Sequence, residues 1–174
     1  MKRIEDFRCL LAGPISKAYI DDIVESVHHY PEDFDRIYNL MDDKEIKVSW
    51  RATWACEKLA ILHPEWFANK QNELIDRLLS SHHDGTKRIL LSILFTLPIP
   101  EPFPVNLLDY CFNKMLAPEE TTGVQALSIK TAYKLCKKEP DLLLEFKMYL
   151  ENADLDYYTM GVKTTIRRML EKLS

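Results

Sequence analysis

Trp50 and Trp54 stand four residues apart in the stretch VSWRATWACEKLAILHPEWF, residues 48–67, with Glu57 almost one helical turn further on. At 100° per residue, Trp50, Trp54 and Glu57 share one side of a helix. Two indole faces there could stack a base drawn out of a nucleic-acid duplex. A carboxylate beside them could stabilise the positive charge that develops as the base is cut away. Glu57 is therefore the candidate catalytic residue of this stretch. A helical glutamate also has a simpler use as half of an ion pair, here with Lys58 or Arg88.

Other residues with chemical potential read as structural. His82, His83 and Asp84 place metal-ligand types side by side, but adjacent histidines in a turn rarely converge on one ion, and further ligands would be needed. The expected role of this HHD stretch, and of His28 and His29 before Pro31, is a solvated cap. Cys9, Cys56, Cys111 and Cys136 form no CxxC pair and show no metal-ligand spacing. Each has apolar neighbours, as in TWACEKL and YCFNKML, where a reduced thiol packs as a small hydrophobe. No phosphate-binding loop, dinucleotide fingerprint, nucleophile elbow or HExxH motif occurs, and 4 glycines are too few for a backbone phosphate cradle. The expectation is no metal and no cofactor.

The elements that carry these residues recur. Gly85, Gly123 and Gly161 are 38 residues apart each time, and Leu59, Leu97, Leu135 and Leu173 keep the same spacing. So do Val48, Thr86, Val124 and Val162, and upstream Leu40, Leu78 and Leu116. Pro64, Pro102 and Pro140 fit too, a weaker mark because LPIPEPFP crowds four prolines together. A fixed period of this size is the signature of a solenoid.

Each unit reads as helix A, a polar turn and helix B. In the first B helix, Val48, Ala52, Ala55, Leu59 and Leu62 form the stripe of an amphipathic helix, and strand alternation is absent. Helix A opens near its proline in HYPEDFDRIYNLM, HPEWFANKQNELIDRLL and EPDLLLEFKMYL, where a fixed φ suits the first turn and the acidic residues that follow suit the helix dipole. The turns DDKEIKVS, SHHDGT, APEETTG and YYTMG carry capping types, and a glycine just ahead of helix B would tolerate the conformation needed there. GTKRILLSILFTLP is apolar nearly all round and belongs in the middle of a stack. VKTTIRRMLEKL has one apolar stripe, Val162, Ile166, Met169, Leu170 and Leu173, as an end cap requires. Residues 1–30 fall outside the register and read as an irregular helix pair, with Ile20, Ile23, Val24 and Val27 on one face.

VSWRATWACEKLAILHP and TTGVQALSIKTAYKLCKKEPDLL resemble HEAT repeats, which place a proline early in helix A and a V-(R/K)-x-x-A-x-x-x-L pattern in helix B. The resemblance covers roughly residues 31–174. It implies an armadillo-type, right-handed α-α superhelix whose B helices line a concave surface that binds protein segments. A branch of the HEAT-like class, the DNA alkylation-repair glycosylases, uses a basic and aromatic concave face on damaged DNA instead. Arg51 matches the usual basic position of the pattern, and its expected role is to bond the turn carboxylates Asp42 or Asp43. The 34-residue tetratricopeptide period does not match.

Charge completes the reading. Over 174 residues, 23 basic and 27 acidic side chains leave a net charge of −4, so no polybasic signature marks the whole chain. The expected B segments alone hold 12 basic and 2 acidic residues, a net +10, which leaves −14 elsewhere. Such segregation predicts a basic B-helix face able to steer acidic partners. Stepping by 38 from Trp54 gives Ser92, Lys130 and Arg168, and from Trp50 gives Arg88, Ala126 and Thr164; a flanking row is Lys58, Thr96, Lys134 and Lys172. Trp50, Trp54, Arg88, Lys130, Lys134, Lys137 and Arg168 are the candidate partner-binding residues. Against this, lysine and arginine are the ordinary solvated face of a helix, and both tryptophans could simply pack on the N-terminal pair.

The expectation is an all-α protein of about four 38-residue repeats plus the N-terminal pair, one domain over residues 1–174. Its expected function is a non-enzymatic scaffold that binds a protein or peptide on the B-helix face, with a nucleic-acid-binding or alkylation-repair-like protein as the alternative. The opening MKRIEDFRCLLAGPISKAYIDD has no apolar leader core, and no apolar run approaches a membrane span. The chain reads as soluble and cytoplasmic.

Overall fold

The B helices begin at Ile46, Asp84, Thr122 and Met160, 38 residues apart each time, in the computed structural model, which describes residues 3–14 and 16–173. The chain runs α1 (Phe7–Ala12), α2 (Lys17–His29), α3 (Phe34–Asn39), α4 (Ile46–Leu62), α5 (Gln71–Ser80), α6 (Asp84–Thr96), α7 (Val105–Met115), α8 (Thr122–Cys136), α9 (Pro140–Glu151) and α10 (Met160–Leu173). Among the described residues there is no strand, and the protein is all-α, as the period predicts. The A and B helices of the four repeats are α3 and α4, α5 and α6, α7 and α8, α9 and α10. No described helix is long and apolar enough to cross a membrane.

The chain divides into two compact units, Met1–Asn69 and Lys70–Ser174. In the first, α1, α2 and α3 all pack on α4. The α4 stripe holds: Val48, Ala52, Ala55 and Leu59 are fully buried. Leu62, expected as its last member, is 55% exposed because it ends the helix, beyond the cover of its neighbours. Thr53, Cys56 and Ala60 are buried in addition, so the band is wider than one stripe, as a helix covered from several sides requires. Ile20, Ile23, Val24 and Val27 of α2 are buried together, as expected. Each such aliphatic burial contributes roughly 1.5–3 kcal/mol.

In the second unit α8 is central, with α6, α7, α9 and α10 packed against it. Pro140 is the first residue of α9, whereas Pro31 and Pro64 open short 3-10 turns that precede α3 and α5. The α6 residues Ile89, Leu90, Leu91, Ile93 and Leu94 are buried. In α10, Val162, Ile166 and Met169 are buried, Leu170 and Leu173 are half-buried, and Arg167, Arg168 and Lys172 face solvent.

The recurring glycines correct one expectation. Gly85, Gly123 and Gly161 lie inside the first turns of α6, α8 and α10, not ahead of them, and no described glycine has a positive φ. Close approach explains two of them. A Cβ on Gly123 would meet Arg88 Cδ at 2.9 Å, and one on Gly161 would meet Thr122 Cγ2 at 2.9 Å. The small residue lets each B helix seat its start against the B helix before it. Cys56, Cys111 and Cys136 are buried as expected, while Cys9 is exposed. Burial pushes the Cys136 thiol up to about 11, which leaves it inert.

Candidate functional site

Helices α6, α8 and α10 start in register, so their solvent sides present matching rows. Thr122 and Thr159 share a hydroxyl hydrogen bond of 2.9 Å at the start of α8 and α10. At the other end Lys172 of α10 lies over the Tyr133 ring of α8, 5.7 Å from its centre, and Lys137 approaches the same ring at 5.7 Å. Between these points lie Arg88, Lys130 and Arg168, with Arg88 and Arg168 exposed and Lys130 half-buried.

None of Arg88, Lys130, Lys137 and Arg168 has a described carboxylate within ion-pair distance. Neighbouring cations differ: Lys87 reaches Glu120 at 3.1 Å and Asp84 at 3.1 Å, and Lys138 reaches Glu101 at 3.0 Å. These four cations are thus spread along α6, α8 and α10, from Arg88 beside Gly123 to Lys137 at the end of α8, without a described ion pair.

Lys134, in the flanking row, is turned onto its own fold. Its ammonium donates to the carbonyls of Phe95 at 2.7 Å, Leu94 at 3.3 Å and Leu97, at the C-terminal end of α6. A lysine there meets both unsatisfied carbonyls and the negative end of the helix dipole. Burial pulls its pKa below the ordinary lysine value. Lys58, one step of the same row, is paired with Asp21 of α2 at 2.9 Å.

The first unit places the tryptophans and Glu57. Trp50 and Trp54 are both half-buried, their ring centres 6.1 Å apart and their planes 26° from parallel. That separation is a direct aromatic pair. The rings therefore stack on each other rather than around a third ring. Glu57 is half-buried on α4, and its neighbour Lys58 pairs with Asp21 instead. Arg51 serves structure, but with different partners from those expected: it donates to the carbonyls of Leu11 and of Gly13, the latter at 2.9 Å, at the end of α1. Asp43 bonds Arg8 instead, at 2.7 and 3.1 Å.

Two clusters escaped sequence reading. His28 Nδ1 lies 2.7 Å from His63 Nε2, with the rings stacked at 5.0 Å; His63 in turn stacks on Trp66 at 3.9 Å and contacts Glu65 at 3.1 Å. His28 is thus tied to a residue 35 positions away, not merely solvated. His83 does cap a helix, accepting from the Thr86 N–H at 3.2 Å. Among the described residues, no group of three or more histidines, cysteines or carboxylates could hold a metal ion.

The second cluster is Glu120, in the turn before α8, whose side chain is 4% exposed and lies between Lys114 at 2.7 Å and Lys87 at 3.1 Å. Burial would raise its pKa, but hydrogen bonds from Lys114 and Lys87 overcome this and hold it below the usual range. The neighbouring acidic pair in APEETTG hid its role, because only the fold distinguishes Glu120 from exposed Glu119.

A family model described as a HEAT repeat domain matches residues 7–173. Searches of curated proteins and of solved structures gave no match.

Proposed function

The chain belongs to the HEAT repeat domain family, and from that premise we propose that it is a scaffold whose α6, α8 and α10 face binds an acidic segment of a partner protein. The observation that carries this reading is that Arg88, Lys130, Lys137 and Arg168, on or at the ends of α6, α8 and α10, have no described carboxylate within ion-pair distance, although Asp84 and Glu171 lie on the same helices. Lysines that serve the fold are engaged, as Lys87 and Lys114 are with Glu120. Like charges brought together cost stability unless an anionic partner relieves them, and the same field raises the encounter rate with such a partner. Tyr133, between Lys137 and Lys172, adds an aromatic surface of the kind enriched at interface centres.

Lys134 supports this face mainly by fixing the end of α6. Trp50 and Trp54 offer a separate, partly exposed aromatic surface in the first unit, to which we assign a secondary contact with a protein partner. The four cysteines are free, which supports a reducing, cytoplasmic setting.

The test is fluorescence anisotropy of a labelled glutamate-rich peptide, and of labelled single- and double-stranded DNA, from low to physiological salt. The peptide is expected to bind, and Lys130→Glu with Arg168→Glu to weaken it by at least about tenfold, or about 1.4 kcal/mol. Tighter binding of DNA, falling with salt by the slope of several phosphate contacts, would make the face a nucleic-acid surface. Unchanged peptide affinity in the double variant would overturn the proposal.

A further inference from the structure

Helix α9 is rich in apolar residues yet buries few of them. Phe146 and Leu150 are its buried side chains, while Leu144, Met148 and Tyr149 are 60%, 53% and 47% exposed. Beside it, between α7 and α9, run two adjoining hollows of about 350 and 440 Å³. Leu108, Phe112 and Leu142 line the first; Leu116, Met148 and Tyr158 line the second; Tyr149 and Glu145 belong to both. The rings of Phe112 and Tyr149 meet edge to face at 5.1 Å within this groove, and Tyr158 Oη donates to the Leu116 carbonyl at 3.1 Å at one end.

Every charged residue lining the two hollows is acidic: Asp109, Glu145 and Asp154. No described cation forms an ion pair with any of the three. The nearby lysines are committed elsewhere, Lys114 to Glu120 at 2.7 Å and Lys147 to Glu151 at 3.7 Å. Apolar lining with an exclusively acidic rim selects its occupant by sign as well as by hydrophobicity.

We propose that the groove between α7 and α9 is a second docking site, for a basic amphipathic segment of a partner protein. Its aliphatic or aromatic side chains fill the hollows against Phe112, Met148 and Tyr149, and its lysines or arginines face Asp109, Glu145 and Asp154. This site lies on A helices and has the opposite charge preference to the α6, α8 and α10 face. Together the two surfaces would let one chain hold an acidic and a basic segment at once.

The probe is a labelled helical peptide of leucine and lysine with amphipathic spacing, and its leucine and glutamate counterpart, titrated by anisotropy. The lysine peptide is expected to bind and the glutamate peptide to bind at least about tenfold more weakly through this groove. Glu145→Lys and Tyr149→Ser, both at exposed positions, are each expected to weaken the lysine peptide by about tenfold or more. Lys130→Glu with Arg168→Glu is expected to leave it unchanged, which separates failure here from failure of the basic face. Affinity for the lysine peptide unaltered by both groove variants would overturn the proposal. So would sedimentation showing that a second copy of the chain fills the groove, with self-association abolished by Tyr149→Ser.

Discussion

Asp33 is fully buried and shared by two guanidinium groups: Arg3 donates from Nε and Nη2 at 2.7 Å each, and Arg36 from Nη1 at 2.9 Å. The hydrogen bonds from Arg3 lower its pKa to about 2, against the opposing effect of burial and with further help from Arg36. Because the folded value lies below the unfolded one, this carboxylate stabilises the fold fully above the ordinary aspartate range. That contribution is lost as pH falls through the folded value. Asp33→Asn is expected to cost about 2 kcal/mol at neutral pH. The difference between variant and wild type should close on acidification from about 4 to about 2. Urea denaturation across that pH range reads both; a constant difference would mean that Asp33 acts through shape rather than charge. In the sequence Asp33 is one of two acidic residues after Pro31, legible as dipole partners and no more. Arg36 is a local partner, but Arg3, which makes two of the three bonds, lies 30 residues upstream, a distance no local pattern can bridge.

Elements carry a different kind of information. Gly161 sits where α10 begins against α8, and an added Cβ would meet Thr122 Cγ2 at 2.9 Å. Thr122 cannot yield easily, since its branched side chain is stiff and its hydroxyl bonds Thr159 at 2.9 Å. In an open helix, alanine would gain about 1 kcal/mol over glycine. Here the clash should outweigh that gain, so Gly161→Ala is expected to destabilise by about 1 kcal/mol, within the range for overpacking. Thr122→Ser removes the offending methyl and keeps the hydroxyl. In that background Gly161→Ala should become neutral or stabilising, a coupling that thermal denaturation of the four proteins of the cycle measures directly. If the two substitutions add, the contact is not what placed the glycine. The 38-residue recurrence of glycine is visible in the sequence, but the B helices begin one or two residues earlier than it suggests, so the glycines fall inside their first turns. The purpose of the glycines is not visible there, because a period reports that a position is constrained without saying by which neighbour. The same limit applies to the basic row: Lys130 and Lys134 look equivalent as letters, yet only the packed structure shows Lys134 turned onto the end of α6.

At the scale of the molecule, the three tryptophans, Trp50, Trp54 and Trp66, all belong to the unit Met1–Asn69, while helices populate both units. Indole emission therefore reports the first unit alone, and helical circular dichroism reports both. HEAT repeats gain stability from nearest-neighbour packing, and units of 70 residues or fewer are marginal by themselves. The family match runs through both units, from residue 7 to 173. We expect the chain to behave as one domain, so that urea transitions followed by fluorescence and by circular dichroism coincide in midpoint and slope. Two separated transitions would instead divide the chain near Asn69 into independently folding units. The basic face and the α7–α9 groove, both built from residues beyond Lys70, would then persist after the tryptophan signal is lost. That outcome is directly readable, because the leucine and lysine peptide would still bind at denaturant concentrations where the first unit has already unfolded.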